Sequence, residues 1–183
     1  MHIAHPLTDR YFLKRCGTSD ADRISNFYQY VSESTKNMER FGKWIYGLHP
    51  TKEQIESYIK SGFMYSLEKS GEILGAVAIT PFQGNEYQDI DWQIDCHNHE
   101  VSVVHLLAVN PDRQGCGIAR EIMRNVIDIA KNNNSKAVRL DALSCNIPAH
   151  RLYQSIGFEK TGACKWYADN VGNAEFYLFE LLL

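Results

Sequence analysis

A glycine-bearing loop between an apolar segment and a helical pattern could hold an anion. The apolar segment ends at Val109, a turn follows at residues 110–112, and Gly115 and Gly117 stand just before the helical pattern. Because glycine has no Cβ, backbone N–H groups at these two positions can approach a ligand closely. The positive end of the helix dipole points at the same place. The combination is typical of a phosphate site.

Two common phosphate loops fit this stretch poorly. A P-loop requires Lys followed by Ser or Thr after its last glycine, whereas Gly117 is followed by Ile118. A dinucleotide-binding fingerprint would start at Gly115 and would use Asp141, in the next strand, for the ribose. It would also place Arg120 where a small residue is needed, and few residues follow Asp141 for such a fold. A Rossmann-type nucleotide-binding protein is therefore the weaker alternative.

A second motif lies further along the chain. Its residues are spaced as N-x-x-A-x-x-h-Y-x-x-x-G-F and are Asn146, Ala149, Leu152, Tyr153, Gly157 and Phe158. Together with the loop Gln114-Gly-Cys-Gly117-Ile-Ala119, which fits Q/R-x-x-G-x-G/A, this segment resembles the paired motifs of the GNAT acetyltransferase superfamily. The two motifs cover residues 105–158, and the coarse order of elements resembles the family over nearly the whole chain.

The resemblance implies an acetyl-CoA-dependent N-acetyltransferase, which moves an acetyl group from acetyl-CoA to a primary amine of a small molecule or peptide. The positions that match the family's pantetheine-binding strand are Leu107 and Val109, with Asn146 close by. The resemblance places the pyrophosphate beside Gln114 and on the loop amides, which belong to Gly115, Gly117, Ile118 and Ala119. A non-catalytic module that binds or senses acyl-CoA is the alternative from another functional class.

Acetyl transfer to an amine needs an acid for the leaving thiolate and a route for the amine proton. Tyr153 matches the tyrosine that the family is proposed to use as the acid; the alternative is a core tyrosine between helix and sheet. His105 is the candidate base, because an unperturbed imidazole titrates near neutrality. The alternative for His105 is a structural histidine bonded to a neighbouring loop.

The position of His105 in its strand does not identify the general base. Strand alternation predicts that His105 shares a face with Val103, Leu107 and Val109. Other family members often carry glutamate at the position of Val103, so the commonest base is missing here. Glu100 or a water route to solvent therefore remains an alternative.

The elements that must position these residues follow from hydrophobic periodicity and turn signals. Thr51 and Gln54 fit a capping box, and Ser70-Gly71 fits a two-residue hairpin turn. Helices are predicted from residue 19 or 20 to about 35, and over 51–60, 115–131 and 148–155. Strands are predicted over 11–15, 63–69, 73–80, 100–109, 137–142, 158–167 and 175–183, with a short one around 89–93 in the loop 81–99.

This order predicts a mixed sheet covered by helices. The family resemblance refines the prediction to an α/β (α+β) fold with a mostly antiparallel central sheet. It implies one parallel strand pair at the cofactor site and helices on both faces, as one domain over residues 1–183.

Composition limits the partners. The net charge of −3 argues against a broad nucleic-acid footprint, and no apolar run approaches the ~20 residues that span a bilayer. Residues 1–6 lack the pattern of a signal peptide, and five cysteines without a C-x-x-C pair favour reduced thiols. We therefore expect a cytoplasmic enzyme without nucleic-acid or membrane partners, and a homodimer through the last strands or the helices is compatible with the sequence.

Three segments rich in aromatic residues are candidates to line the acceptor site: 41–49, 81–99 and 167–173. Acidic residues in the second of them favour a cationic amine, namely Glu86, Asp89, Asp91 and Asp95. The run 95–100 contains side chains that can bind metal, but they are crowded rather than placed at a zinc spacing. A polar substrate loop without a metal is the preferred interpretation.

Overall fold

The computed structural model describes residues 11–183. Residues 1–6, considered above for a signal peptide, lie outside the described residues. The strands are β1 (Leu13–Arg15), β2 (Met64–Lys69), β3 (Glu72–Thr80), β4 (Val101–Val109), β5 (Ala137–Leu143), β6 (Glu159–Ala168) and β7 (Gly172–Leu182). The helices are α1 (Ala21–Ser34), α2 (Lys52–Lys60), α3 (Ile118–Asn132) and α4 (Ile147–Ser155).

The strands form one seven-stranded sheet in the order β1-β2-β3-β4-β5-β7-β6. Among the described residues, β4 and β5 pair in parallel and the other neighbouring strands pair antiparallel. The predicted mixed and mostly antiparallel sheet with one parallel pair is thus confirmed. The parallel pairing is short, because it ends where Val103 meets Arg139.

Helices cover both faces of the sheet, as predicted. On one face α3 and α4 pack through Ile122, Val126 and Tyr153. On the other face α1 and α2 pack through Ile24 and Ile55, among others. Each helix buries an apolar stripe against the sheet and leaves its polar side in water, the arrangement that amphipathic periodicity predicts.

Local signals in the sequence account for several boundaries. The side chain of Thr51 accepts from the amide of Gln54, which completes the predicted capping box of α2. Ser70 and Gly71 both have positive φ, as a tight hairpin turn of the type I′ class requires. None of the helices within residues 11–183 has the length and apolar character to cross a membrane.

The predicted short strand around residues 89–93 is wrong. The loop forms 3₁₀ turns at Asn85–Tyr87 and Asn98–Glu100 instead. The amide of Gln93 donates to the carboxylate of Glu180 at 2.7 Å, so this segment lies on the face of the sheet. No strand edge is therefore beside it to pair with.

Candidate active site

A bulge in β4 sets the geometry of the site. Ala78 pairs with His105 and Ala76 with Ala108, so β4 carries one extra residue between these pairs. Leu106 takes a positive φ of 52° there, and its carbonyl oxygen accepts a hydrogen bond from the buried Tyr28 hydroxyl at 2.7 Å. An extra residue of this kind reverses the side-chain alternation beyond it.

This bulge corrects the predicted face of His105. Leu107 and Val109 pack on the α3 side of the sheet. The His105 ring instead stacks on Tyr58 of α2, with 5.6 Å between the ring centroids. His105 therefore does not share a face with Leu107 and Val109, because strand alternation does not run through the bulge.

The end of β4 offers an unpaired backbone edge. The amide of Asn110 donates to Leu74 of β3 at 2.9 Å. Because amides alternate in direction along a strand, those of Val109 and Leu107 point the other way, towards β5. Since β4 and β5 pair no further than Val103 and Arg139, the two strands diverge and leave a gap. We call it the β4–β5 gap.

The N-terminus of α3 leaves further donors unpaired. Gly117 is the N-cap, with φ of 81° and no side-chain cap, and Gly115 has φ of 79°. A Cβ at either glycine would meet no atom within 4 Å, so the space above the loop is open. Within residues 11–183, no acceptor is bonded to the amides of Gly115, Gly117, Ile118 and Ala119. Gln114 is exposed beside them.

The α4 helix brings the second motif to the same gap. Asn146 is the N-cap of α4, and its side-chain oxygen accepts from the amide of Ala149 at 3.4 Å. At the N-terminus of α3, Arg120 bonds to Ser155 of α4 at 2.8 Å and 3.1 Å. This bond joins the two helices that carry the motifs. Arg120, the residue that fits a dinucleotide loop poorly, therefore has a structural partner.

Tyr153 is buried, and its ring packs against Phe158 and Phe179. Among the described residues, none is hydrogen-bonded to its hydroxyl group. Burial, and then the negative charge of Asp141, raise the pKa of Tyr153. The hydroxyl therefore keeps its proton at neutral pH and can donate it.

His105 is half-buried on the opposite face. Its Nε2 atom lies 3.2 Å from Oγ1 of Thr80, and burial lowers the pKa of His105 to about 4. The imidazole is thus neutral at pH 7 and a weaker base than a free histidine.

Asp141 is a candidate functional residue that the sequence interpretation assigned only to a ribose. Its Oδ1 accepts from the Tyr87 hydroxyl at 2.6 Å. Burial raises the pKa of Asp141, the Tyr87 hydrogen bond lowers it, and the charge of Glu86 raises it. The available signal was an acid between Leu140 and Ala142 in an apolar strand, where a carboxylate is costly without a reason.

A buried ion pair holds the loop that carries Tyr87. Arg139 donates to Glu180 at 2.7 Å and to the carbonyl oxygen of Ile94 at 2.9 Å. Its guanidinium also lies 4.4 Å from the centre of the Trp92 ring and bonds to Gln83. Since Arg139 and Glu180 are both almost fully buried, the loop 81–99 is fixed to the sheet rather than free.

The aromatic residues of the loops have more than one role. Trp44 packs on Tyr28 of α1, and the Tyr46 hydroxyl bonds to Ser25, so both help to cover the core. Tyr87 reaches Asp141, whereas Tyr167 remains exposed. That these segments line an acceptor site stays a prediction.

The polar run at 95–100 forms a surface feature. The rings of His97 and His99 stack on each other, with centroids 5.7 Å apart. Nowhere in residues 11–183 are three or more His, Cys, Asp or Glu side chains grouped so that they could hold a metal ion. All five cysteines are free thiols.

Comparison with known proteins places these features in a family. Residues 23–158 match the family model described as "Acetyltransferase (GNAT) family". N-acetylaspartate synthetase of Danio rerio is 38% identical over 61 residues, which are 33% of this chain and 22% of that protein. The chain thus matches only about a quarter of the length of such curated relatives.

Solved structures share the whole fold. A putative acetyltransferase from Staphylococcus aureus Mu50 has a TM-score of 0.67 and 25% identity, covering 93% of this chain and 97% of that one. YncA of Salmonella typhimurium, a putative acetyltransferase determined with its cofactor acetyl-CoA, has a TM-score of 0.66 and 17% identity, covering 96% and 95%. With a family model that matches most of its length and this shared architecture, the chain belongs to the GNAT acetyltransferase family.

Proposed function

We propose that the protein transfers an acetyl group from acetyl-CoA to a primary amine of a small molecule or peptide. The observation that carries the proposal is two neighbouring groups of unpaired backbone donors. One lies at the open edge of β4, at Leu107 and Val109, and the other at the N-terminus of α3. Unpaired amides are costly when they are buried without a partner, and those of a helix N-terminus attract anions.

The donors suit the two polar parts of coenzyme A. The edge of β4 would pair with the amides of pantetheine as an added strand. The pyrophosphate would lie on the amides of Gly115, Gly117, Ile118 and Ala119, with Gln114 beside it. Asn146, at the start of α4, would face the pantetheine arm.

Tyr153 is the proposed acid. The amine attacks the thioester carbon, a C–N bond forms, and the C–S bond breaks with the electron pair on sulfur. Tyr153, which is protonated at neutral pH, would deliver a proton to that thiolate, and the proton that the nitrogen loses would restore the Tyr153 hydroxyl. His105 borders the amine side as a neutral group, and its pKa of about 4 makes it a weak base.

Replacing Gly117 by Ala tests the pyrophosphate site. The added Cβ enters the open space above the loop, so we expect the Kd for acetyl-CoA, measured by calorimetry, to rise at least about tenfold because phosphate contacts are lost. Gly71→Ala is the matched control, since Gly71 has nearly the same φ and equally open surroundings but lies in the β2–β3 turn. Equal Kd values in the two variants would contradict the site.

An acetylation assay with the parent protein tests the reaction. Free thiol is followed with acetyl-CoA and a panel of phenethylamine, spermidine, aspartate and a peptide with a free α-amine. We expect at least one amine to be acetylated. Tyr153→Phe should lower kcat about 100-fold with the Kd for acetyl-CoA unchanged. Acetyl-CoA binding without acetylation of any amine would indicate a binding module, and binding of NAD in place of acetyl-CoA would indicate a nucleotide-binding protein.

A further inference from the structure

Asp141 is a half-buried carboxylate without a cationic partner. The Tyr87 hydroxyl and the backbone amide of Asp141 itself donate to it, and no other residue in the described part of the chain donates to its carboxylate. Within residues 11–183, the charged side chain that acts on Asp141 is that of Glu86, and neither Lys nor Arg offsets the charge of Asp141. Buried charges in proteins are normally paired, so this carboxylate lacks a counter-ion that a ligand could supply.

The carboxylate also faces the groups that surround the gap. Burial first, and then the charge of Asp141, raise the pKa values of Tyr58 on α2, Tyr153 on α4 and Cys164 on β6. Tyr58 in turn stacks on His105 of β4. Asp141 is on β5 two residues beyond Arg139, the last residue of β5 that pairs with β4, so it borders the β4–β5 gap.

We propose that Asp141 binds the ammonium group of the acceptor and takes its proton, with Tyr87 holding the carboxylate in place. The assignment rests on the proposed function. In the step, R–NH₃⁺ loses one proton to Asp141, and the neutral amine attacks the thioester carbon. The C–S bond then breaks and the thiolate takes the proton of the Tyr153 hydroxyl. The nitrogen loses its second proton to the resulting Tyr153 phenolate, and Asp141 returns the first proton to solvent.

The assignment also names an acceptor class. With Asp141 and Glu86 on one side, the site favours a primary amine that carries no carboxylate close to its nitrogen. Phenethylamine and spermidine should therefore be better acceptors than aspartate. This would distinguish the chain from the relative named N-acetylaspartate synthetase.

The pH dependence of kcat/KM separates Asp141 from the other groups near it. A base must be deprotonated, so the rate rises with pH through the pKa of Asp141. The Tyr87 hydrogen bond lowers that pKa and the Glu86 charge raises it. We therefore expect Tyr87→Phe to move the acidic limb to higher pH and Glu86→Gln to move it to lower pH. Glu53→Gln, at an exposed position on α2, should leave the limb in place.

Asp141→Asn keeps the shape of the side chain and can still accept from Tyr87. With phenethylamine we expect kcat/KM to fall at least about 100-fold, the acidic limb to disappear, and the Kd for acetyl-CoA to stay unchanged. Circular dichroism checks the fold of this variant. Glu86→Gln tests the same proposal without a change to a buried side chain, because Glu86 is exposed.

Two results would overturn the assignment. One is an acidic limb that survives in Asp141→Asn and disappears in His105→Gln, which would identify His105 as the base. The other is an acidic limb at the same pH in Tyr87→Phe, Glu86→Gln and the parent protein. A protein that binds acetyl-CoA but acetylates none of the amines contradicts the proposed function itself, which is a different outcome.

Discussion

Burial shifts the pKa values of the two side chains to which we assign proton transfer. Asp141 and Tyr153 both have raised pKa values, caused first by burial, and the charge of Asp141 adds to the shift of Tyr153. The shift makes the carboxyl a stronger base and the phenol a weaker acid than in water. Neighbouring groups with separated roles are a common feature of acid–base sites.

His105 predicts a pH dependence of stability. Its pKa is 6.5 when exposed and about 4 in the fold, so between these values the unfolded chain binds more protons. The contribution of His105 to the free energy of unfolding is therefore at its full value above pH 6.5 and decreases as the pH falls towards 4. At pH 5 the loss from this residue should be about 2 kcal/mol relative to pH 8.

Urea unfolding of the parent protein and of His105→Gln at pH 8 and pH 5 checks the predicted pH dependence of stability. Glutamine can keep a hydrogen bond to Thr80, so the variant should lose less stability on acidification than the parent. The remaining pH dependence would come from other groups, including His49 and His150, whose pKa values burial also lowers. An identical pH dependence in both proteins would show that His105 is protonated freely in the folded state.

At the scale of elements, the β4 bulge connects the core to the site. The extra residue turns the last part of β4, so that Leu107 and Val109 meet α3 while their amides face the gap. The Leu106 carbonyl, which the bulge removes from the strand ladder, is bonded by Tyr28 of α1. A helix on one face of the sheet therefore supports the strand edge that we assign to pantetheine.

Tyr28→Phe should destabilise this arrangement. The ring still fits, but the buried Leu106 oxygen loses its donor, at a cost of about 1–3 kcal/mol in the free energy of unfolding. We also expect weaker acetyl-CoA binding by calorimetry, because the edge of β4 is less well held. Tyr30→Phe is the control, since it removes an exposed bond to Asp112 from the same helix and should change stability by less than about 0.5 kcal/mol. Equal effects of the two substitutions would refute the role of Tyr28.

At the scale of the molecule, distant parts of the chain meet at the connection between α1 and α2. The Asn170 side chain in the β6–β7 turn donates to the carbonyl oxygen of Lys43, between α1 and α2, at 2.7 Å. The Cys145 thiol also lies 3.6 Å from the carbonyl oxygen of Phe41. The connection between α1 and α2 is thus tied to the C-terminal half of the sheet.

Asn170→Ala should loosen this connection with little effect on stability. The lost hydrogen bond, worth about 1 kcal/mol, is offset because the buried and unpartnered Asn170 oxygen is also removed. We expect the KM for phenethylamine to rise several-fold, with the Kd for acetyl-CoA unchanged. The control is Asn173→Ala, an exposed residue at the start of β7, next to the same turn. A KM unchanged in both variants would show that the tie does not shape the acceptor site.

Much of the fold could be predicted because its signals are local. The capping box at Thr51, the positive φ at Ser70 and Gly71, and the apolar spacing of α3 each depend on residues close in sequence. The segment 89–93 was predicted wrongly because its partner, Glu180, is far away in the chain. The face of His105 was predicted wrongly because no local pattern signals the bulge at Leu106.

The sequence by itself determined the family, the order of elements and the glycine loop, because the motifs at 114–119 and 146–158 depend on backbone freedom and short spacing. Only the tertiary structure decided which side chains meet. It brought Tyr87 from a loop to Asp141 on β5, turned His105 away from Leu107, and opened β4 from β5 beyond Val103. These contacts depend on strand register and on packing between segments that are far apart in the chain. Patterns among neighbouring residues therefore do not predict them.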